Sequence, residues 1–312
     1  MKPVQFRSVG ECMAELQQAG GGLYSLAFGG DTLNTSWYVR ALTAPEDLEI
    51  EYVSALGADP LSQDLLAFLT EHGIGSRFVQ KIPDRNIGLY LISLANGERS
   101  FTYWRNNSAA RLLSADEQHL AHAFASAGAI YISGITLAIL SPEHREILLH
   151  QLRQMKRQGA TIAFDSNTRP KLWPSERDMK DAMIKAYEVA TLALPTFGDE
   201  QLLFGDKATR DCARRIADYG VAEIIVKDGA NASCALGDDI MFETVPGAVP
   251  AIVDTTGAGD SFNAGYLASR LAGSSMSSAI ERGHQVAGRV IQQRGALASM
   301  MMFADLRVKF PA

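Results

Sequence analysis

The chain of 312 residues is 47% hydrophobic and carries a formal net charge of −6 at pH 7. That length and apolar content can bury a substantial core, in one large α/β domain or in two small ones. The negative charge disfavours a general polyanion-binding surface, so nucleic acid is not expected as a partner.

The three cysteines, Cys12, Cys212 and Cys234, lack the density of a disulfide framework and the close spacing of a metal site. They favour a reducing compartment. The N-terminus has no apolar signal segment, and residues 127–140, the most apolar internal stretch, are interrupted by small and polar residues. We therefore expect a cytoplasmic protein with no membrane partner.

The chain opens with a strand over Val4–Gly10, an extended Cys12–Leu16, a glycine turn at residues 20–22 and a short strand over Tyr24–Phe28. Two further glycines then precede Asp31, Thr32, Leu33 and Asn34, where a helix is predicted to begin. Asp31 and Asn34 lie about one helical turn apart, so their side chains can read the hydroxyls of a polyol. The alternative is that Asp31 only caps the helix.

A second pair of strands, residues 87–94 and 100–104, flanks a predicted tight turn at Asn96-Gly97. Together with the first pair it predicts a small β-sheet lid, formed by segments at about residues 11–29 and 80–106, that closes over a substrate and excludes water. Tyr90, Tyr103, Trp104 and Arg105 lie on this hairpin. On the residues alone, ordinary strand aromatics and a solvated edge charge are the favoured interpretation.

From residue 129 the pattern becomes strand, helix, strand, which indicates a parallel sheet flanked by helices. The loop Asp165–Pro170 follows a strand, at the edge where open α/β sheets place their ligands. Arg169 there can bind an anion or can merely support the loop. Further along, Asp199 and Glu200 can hold Mg²⁺ through water or favour a helix start, and Lys227 can approach a phosphate or be solvated.

The stretch Val253–Gly265 places two threonines and a Gly-Ala-Gly turn before a helix predicted from Ser261, and a last helix is predicted from about Ser277 to Arg294. Free N–H groups at a helix N-terminus bind anions, and larger side chains than alanine would block them. Asp260 stands beside that anion, where a carboxylate can accept a proton from an attacking hydroxyl. The stretch therefore predicts a phosphoryl-transfer site.

The string D-T-T-G-A-G-D-S-F resembles the C-terminal signature of the PfkB (ribokinase-like) carbohydrate kinases. Further matching strings cover nearly the whole chain: V-G-E-C-M-A-E-L, F-G-G-D-T-L-N-T-S, Y-V-S-A-L-G, Y-W-R-N, L-A-I-L-S-P and V-K-D-G. The resemblance implies a single ribokinase-like kinase domain over residues 1–312, with a central, mostly parallel β-sheet flanked by helices and a small protruding β-sheet lid. It also implies ATP and Mg²⁺ as cofactors.

The resemblance assigns a role to particular residues of this chain. It implies Asp260 as general base, with Gly257, Ala258 and Gly259 as the anion hole. The expected sugar-binding residues are Gly30, Asp31, Thr32, Leu33, Asn34, Tyr90, Tyr103, Trp104, Arg105 and Arg169. The expected nucleotide-binding residues are Asn167, Lys227, Gly229, Ala232, Gly257 and Gly259. Two motifs depart from the family: its N-x-x-E metal motif reads Thr196 to Asp199 here, and its K-x-G-x-x-G turn ends in Ala232.

The activity implied is phosphorylation of the C6 hydroxyl of a sugar acid, 2-keto-3-deoxygluconate. Two guanidinium groups, at Arg105 and Arg169, suit a carboxylate that neutral sugars lack. A kinase of a neutral sugar such as fructose or ribose and a sugar-acid sensor without catalysis are the alternatives. A homo-oligomer is expected, because an exposed lid sheet can pair with that of another subunit.

Overall fold

The computed structural model describes residues 3–95 and 98–311, and it contains two β-sheets. In chain order the strands are β1 Val4–Val9, β2 Met13–Gly20, β3 Leu23–Gly29, β4 Leu48–Leu56, β5 Gly75–Lys81, β6 Gly88–Ala95, β7 Glu98–Trp104, β8 Ala129–Ser133, β9 Thr161–Asp165, β10 Leu192–Ala193, β11 Glu223–Val226, β12 Ser233–Gly237 and β13 Ile240–Thr244. The helices are α1 Asp31–Leu42, α2 Pro60–Glu71, α3 Glu117–Phe124, α4 Gly134–Ile139, α5 Pro142–Arg157, α6 Glu176–Val189, α7 Phe197–Phe204, α8 Thr209–Asp218, α9 Ala258–Leu271 and α10 Met276–Val290.

The large sheet has nine strands in the order β13-β12-β11-β10-β9-β8-β1-β4-β5. All neighbouring pairs are parallel except β11 with β12 and β12 with β13. The chain runs outward from β1 to β4 and β5 and then returns to β8 on the other side of β1. Open parallel sheets bind ligands at such a reversal, beyond the carboxyl ends of the strands.

The core consists of two clusters of buried residues, and residues that alternate along the central strands belong to one cluster or the other. In β8, Ile130 and Ile132 belong to one cluster, whereas Ala129 and Tyr131 belong to the other. Successive side chains of a strand point to opposite faces, so both faces of the sheet are covered. The predicted α/β class with a mostly parallel sheet flanked by helices is confirmed.

The small sheet has four strands in the order β3-β2-β6-β7, with β2 parallel to β6 and the other pairs antiparallel. Both predicted lid segments therefore join in one sheet. The turn predicted at Asn96-Gly97 lies outside the described residues. Alternation places Tyr90 and Tyr103, which are paired across β6 and β7, on one face.

Some elements differ from the sequence prediction. Strand β5 and helix α3 were not predicted, and α9 begins at Ala258 rather than at Ser261. The sequence does not predict β5 because this strand lies at the edge of the large sheet, where polar residues such as Arg77 and Gln80 mask the strand pattern. Among the described residues, no helix has both the length and the apolar character needed to cross a membrane.

Candidate active site

The N-terminus of α9 forms the glycine turn predicted from the sequence. Gly257 caps the helix with a φ of 77°, in the left-handed region that favours glycine. A Cβ atom at this position would lie 2.9 Å from the backbone oxygen of Ala296. Asp260 follows in the first helical turn and is half-buried. The loop thus exposes the first N–H groups of α9 beside a carboxylate.

The N-terminus of α1 meets the N-terminus of α9 at this point. The Asn34 side-chain amide donates to Asp260 Oδ2 at 2.8 Å, and the Thr35 hydroxyl donates to the Asp260 backbone oxygen at 3.2 Å. Asn34 Oδ1 is buried and has no hydrogen-bond partner within residues 3–95 and 98–311. An unpaired buried acceptor costs about 1–3 kcal/mol, so this oxygen suits a ligand hydroxyl.

Asp31 lies beside this pair and is buried. Its Oδ2 accepts from the Asn167 side chain at 2.7 Å, and its Oδ1 accepts from the Thr32 amide at 2.9 Å. Burial, together with the negative charge of Asp31, raises the pKa of Asp260 to about 7, against the opposing effect of the Asn34 hydrogen bond. Burial likewise raises the pKa of Asp31. A carboxyl with a pKa near neutrality can act as a base at physiological pH.

Lys227 places a buried cation beneath the glycine turn. Its Nζ donates to Asp165 Oδ2 at 3.1 Å and to Asn263 Oδ1 at 2.9 Å, and Asn263 also donates to Asp165 at 2.6 Å. A Cβ at Gly259 would lie 3.6 Å from the same Nζ. The ammonium group is therefore held next to residues 254–259, which are named here the anion loop.

The loop after β9 contributes from the opposite side. Asn167 and Arg169 have positive φ values of 27° and 48°, and the Arg169 side chain is exposed. Thr168 donates its amide to Asp199 Oδ2 at 3.2 Å. Burial raises the pKa of Asp199, the Thr168 amide opposes the shift, and the charge of Asp165 adds to it. The positive charges of Arg169 and Lys227 lower this pKa, so Asp199 lies among charges of both signs.

The predicted lid sheet holds Arg105 at its base. Arg105 is buried and forms an ion pair with Glu11, while its Nε finds no partner in the described part of the chain. Tyr90 donates to Glu15, and its ring centroid lies 5.8 Å from that of Tyr103. These polar and aromatic groups line one face of the small sheet.

Three of the predicted sugar-binding side chains lie elsewhere. The Thr32 hydroxyl is fully buried against the Tyr52 hydroxyl at 2.8 Å, and Leu33 is fully buried in the core. Trp104 is opposite Leu89, so it points to the other face of the small sheet from Tyr103. These three side chains therefore do not line the site with Asp31 and Asn34.

Glu200 does not face the site, because it is fully buried and accepts from the Tyr187 hydroxyl at 2.7 Å and from Arg215 at 2.8 Å. Of the two possibilities given for Glu200, the Mg²⁺ contact is thus wrong, and its position in the first turn of α7 fits the other, an acid that favours the helix start. Gly229, with a φ of 57°, and Ala232 lie in the loop between β11 and β12.

Sequence reasoning missed several residues that complete the site. Asn263 lies three residues after Asp260 on α9, a spacing that could have identified it. Asp165 begins the predicted ligand loop, but the sequence does not reveal the partners of Asp165 and Glu11, because Lys227 and Arg105 are 62 and 94 positions away.

Besides the site around Asp31, Asn34 and Asp260 there is a cleft of about 730 Å³, named here the second cleft. It lies between residues 244–250 and helix α10. It adjoins the anion loop, since the amides of Val253 and Asp254 both donate to the backbone oxygen of Ile291 at the end of α10. Its walls include Val249 and His284. A flat, partly apolar group attached to a phosphate could reach the anion loop from this cleft.

Comparison with known proteins identifies relatives across the whole chain. The model of the family described as pfkB family carbohydrate kinase matches residues 8–301. A 2-dehydro-3-deoxygluconokinase of Haemophilus influenzae is 38% identical over 316 residues, covering 99% of this chain and 100% of that protein. One of Escherichia coli is 40% identical over 296 residues, covering 93% and 95%. The crystal structure of a putative ribokinase II from E. coli with ATP and Mg²⁺ has a TM-score of 0.83 at 21% identity, covering 98% of this chain and 99% of that one, and shows the shared fold.

The two glycines of the anion loop are expected to differ in their tolerance of a methyl group. Gly257→Ala should lower the free energy of unfolding by about 1–3 kcal/mol, because alanine is strained at positive φ and would contact Ala296. Gly259→Ala, whose Cβ makes only an ordinary contact, should be neutral or stabilising by up to about 1 kcal/mol. Urea unfolding of both variants measures the difference, and equal effects would contradict the described loop geometry.

Proposed function

The chain belongs to the pfkB family of carbohydrate kinases, and we propose that it transfers the γ-phosphoryl group of ATP to the C6 hydroxyl of 2-keto-3-deoxygluconate. The products would be the 6-phosphate and ADP. Relatives at 38% and 40% identity over nearly the whole chain support this substrate rather than a neutral sugar. The observation that carries the proposal is the contact of Asn34 with Asp260 at the N-terminus of α9.

In the proposed reaction, the C6 hydroxyl lies against Asp260 and within reach of the unpaired Asn34 Oδ1. Asp260 accepts the hydroxyl proton while the sugar oxygen bonds to the γ-phosphorus and the bond to the β-phosphate oxygen breaks. Gly30 suits this place, because a Cβ there would lie 2.3 Å from the Glu11 backbone oxygen. Asp31 would accept a further hydroxyl of the sugar.

The nucleotide would lie along the second cleft with its phosphates at the anion loop. The N–H groups of Gly257, Ala258 and Gly259 and the ammonium of Lys227 would stabilise the charge that develops on the transferred group. Asn167, Gly229 and Ala232 are retained as proposed nucleotide neighbours. Asp199 would hold Mg²⁺ through water, and the bound ion would supply positive charge that neutralises the phosphates.

The carboxylate of the sugar acid would be recognised by Arg105 and Arg169. The loop that carries Arg169 contacts α1 through Asn167 and Asp31, and Glu11, which pairs with Arg105, lies against Gly30. Both arginines thus flank the same end of α1. Tyr90 and Tyr103 would cover the sugar from the lid, and closure of the lid would exclude water from ATP.

We also retain a homo-oligomer and a reducing, cytoplasmic compartment as proposals. The outer face of the small sheet has a row formed by Leu26, Leu16 and Leu91 on adjacent strands, with exposed Tyr24 nearby. A second copy would cover this row with its own, since a twofold axis brings identical patches together. The proposed reducing compartment suits Cys12, Cys212 and Cys234, which are free and buried.

The rate should depend on ionisation of Asp260. Because only the carboxylate can accept the proton, kcat/KM should fall about tenfold per pH unit below the Asp260 pKa of about 7. The corresponding limb of kcat reports the Asp260 pKa in the complex with Mg-ATP and the sugar. A coupled ADP-release assay from pH 5 to 9 measures both profiles. Asp260→Asn is the control: it should lose nearly all turnover and keep ATP binding, and full turnover by it would end the proposed role.

Removal of the substrate carboxylate should be costly. Converting 2-keto-3-deoxygluconate to its carboxamide should reduce kcat/KM by about 10²–10³-fold, because the two arginines would lose the negative charge that they bind. The same assay with fructose and ribose tests the neutral-sugar alternative. Equal efficiency on acid and amide would reject the proposed substrate, and no turnover of any sugar would favour the sensor.

The oligomer should depend on the outer face of the lid. Leu26→Asp should shift the protein toward monomer in sedimentation equilibrium, because it places a charge in an apolar contact. Leu23→Asp is the matched control on the other face of the same strand, and it should leave the mass unchanged although Leu23 is more exposed, at 71% against 45%. Identical masses for both variants would contradict the proposed interface.

A further inference from the structure

The segment Gly295–Ala298 is held on one side by two consecutive residues of α1. The Trp37 indole donates to the Ala298 backbone oxygen at 2.8 Å. The Tyr38 hydroxyl donates to the Ala296 backbone oxygen at 2.5 Å and accepts from the Ala298 amide at 2.9 Å. These bonds join parts of the chain about 260 positions apart, so they fix this segment, named here the brace, to the sugar-binding helix.

On its other side the brace contacts the anion loop at both ends. The Gly295 amide donates to Asp254 Oδ2 at 2.7 Å, and Asp254 Oδ1 accepts from the Thr256 amide at 3.1 Å. The Ala296 oxygen lies 2.9 Å from the place where a Cβ of Gly257 would be. The same backbone oxygen is therefore bound by Tyr38 and packed on the residue that caps α9.

We propose that Tyr38 is a positioning residue that sets the N–H groups of the anion loop through the brace, an inference that rests on the proposed kinase function. Tyr38 lies four residues after Asn34, on the same face of α1. One rigid helix would thus place the acceptor hydroxyl by its first turn and the phosphate site by its second. Tyr38 is fully buried, and burial holds the pKa of its hydroxyl well above the usual value, so it keeps the proton that it donates.

Loss of the Tyr38 hydroxyl should affect the position of the anion loop and should not affect binding of the sugar. Tyr38 touches neither Asp31 nor Asp260 by a hydrogen bond in the described residues, so its loss should leave the sugar contacts in place. A small displacement of the N–H groups would weaken stabilisation of the transferred phosphoryl group, because such donors act only at the correct distance. The effect should therefore appear in kcat and in phosphate affinity.

The test compares Tyr38→Phe with Tyr266→Phe. Each variant loses a tyrosine hydroxyl: that of Tyr38 donates to Ala296 and accepts from Ala298 in the brace, whereas that of Tyr266 donates to Glu223 at 2.5 Å, away from the brace. Tyr38→Phe should lower kcat about tenfold or more with less than about threefold change in the KM for the sugar acid, and should weaken ADP binding in calorimetry. Gly295→Ala, which strains the brace at a φ of 83°, should do the same. Tyr266→Phe should lower the Tm alone.

Thermal unfolding confirms that each variant is folded at the assay temperature. If Tyr38→Phe keeps the wild-type kcat and ADP affinity while its Tm falls, Tyr38 is only structural and the inference is overturned. If Tyr266→Phe loses kcat equally, the brace has no special role and the inference is again overturned. Absence of wild-type turnover would instead overturn the proposed substrate, and the ADP affinities of the variants would still decide the role of Tyr38.

Discussion

The site depends on how three carboxylates are kept close together. Asp31, Asp165 and Asp260 share the end of the sheet with the ammonium of Lys227, and mutual repulsion adds to burial in raising the pKa of Asp260. Hydrogen bonds from Asn34, Asn167 and Asn263 offset part of this cost. Such an arrangement is unfavourable for an inert core, where unpaired charge is avoided. It is favourable for a site that receives Mg²⁺ with its nucleotide.

The fold brings these groups together by its strand order. The carboxyl ends of β1 and β8 meet where the chain reverses direction across the sheet, and the N-termini of α1 and α9 point at the same place. Ser133, the last residue of β8, opposes the rise that burial causes in the pKa of Asp31. Two positive helix ends therefore face the carboxylates, which lowers the cost of their charge and prepares the cleft for phosphate. A helix pair aligned in this way needs support behind it, which is the part assigned to the brace.

The parts of the site that could be predicted from the sequence are those whose residues are close together in the chain. The loop at residues 253–265 carries its own glycines, helix signals and acid, so its form followed from neighbouring residues. The residues around Lys227 do not distinguish a phosphate contact from a solvated charge, because its partners Asp165 and Asn263 lie far away in the chain. The prediction that Trp104 binds the sugar is wrong for a different reason. The face on which Trp104 lies is set by the register with β6, and a slip of one residue would exchange it with Tyr103.

Charge balance also explains why the proposed acid site needs two arginines. Arg105 is buried, and a lone buried guanidinium is costly, so Glu11 neutralises it in the substrate-free protein. A substrate carboxylate added to that pair would leave one negative charge in excess. Arg169, exposed on the loop after β9, can supply the missing positive charge at little cost before binding, because it is solvated until then. Arg105 thus stabilises the base of the lid, whereas Arg169 would move from solvent into contact with the sugar acid when the acid binds.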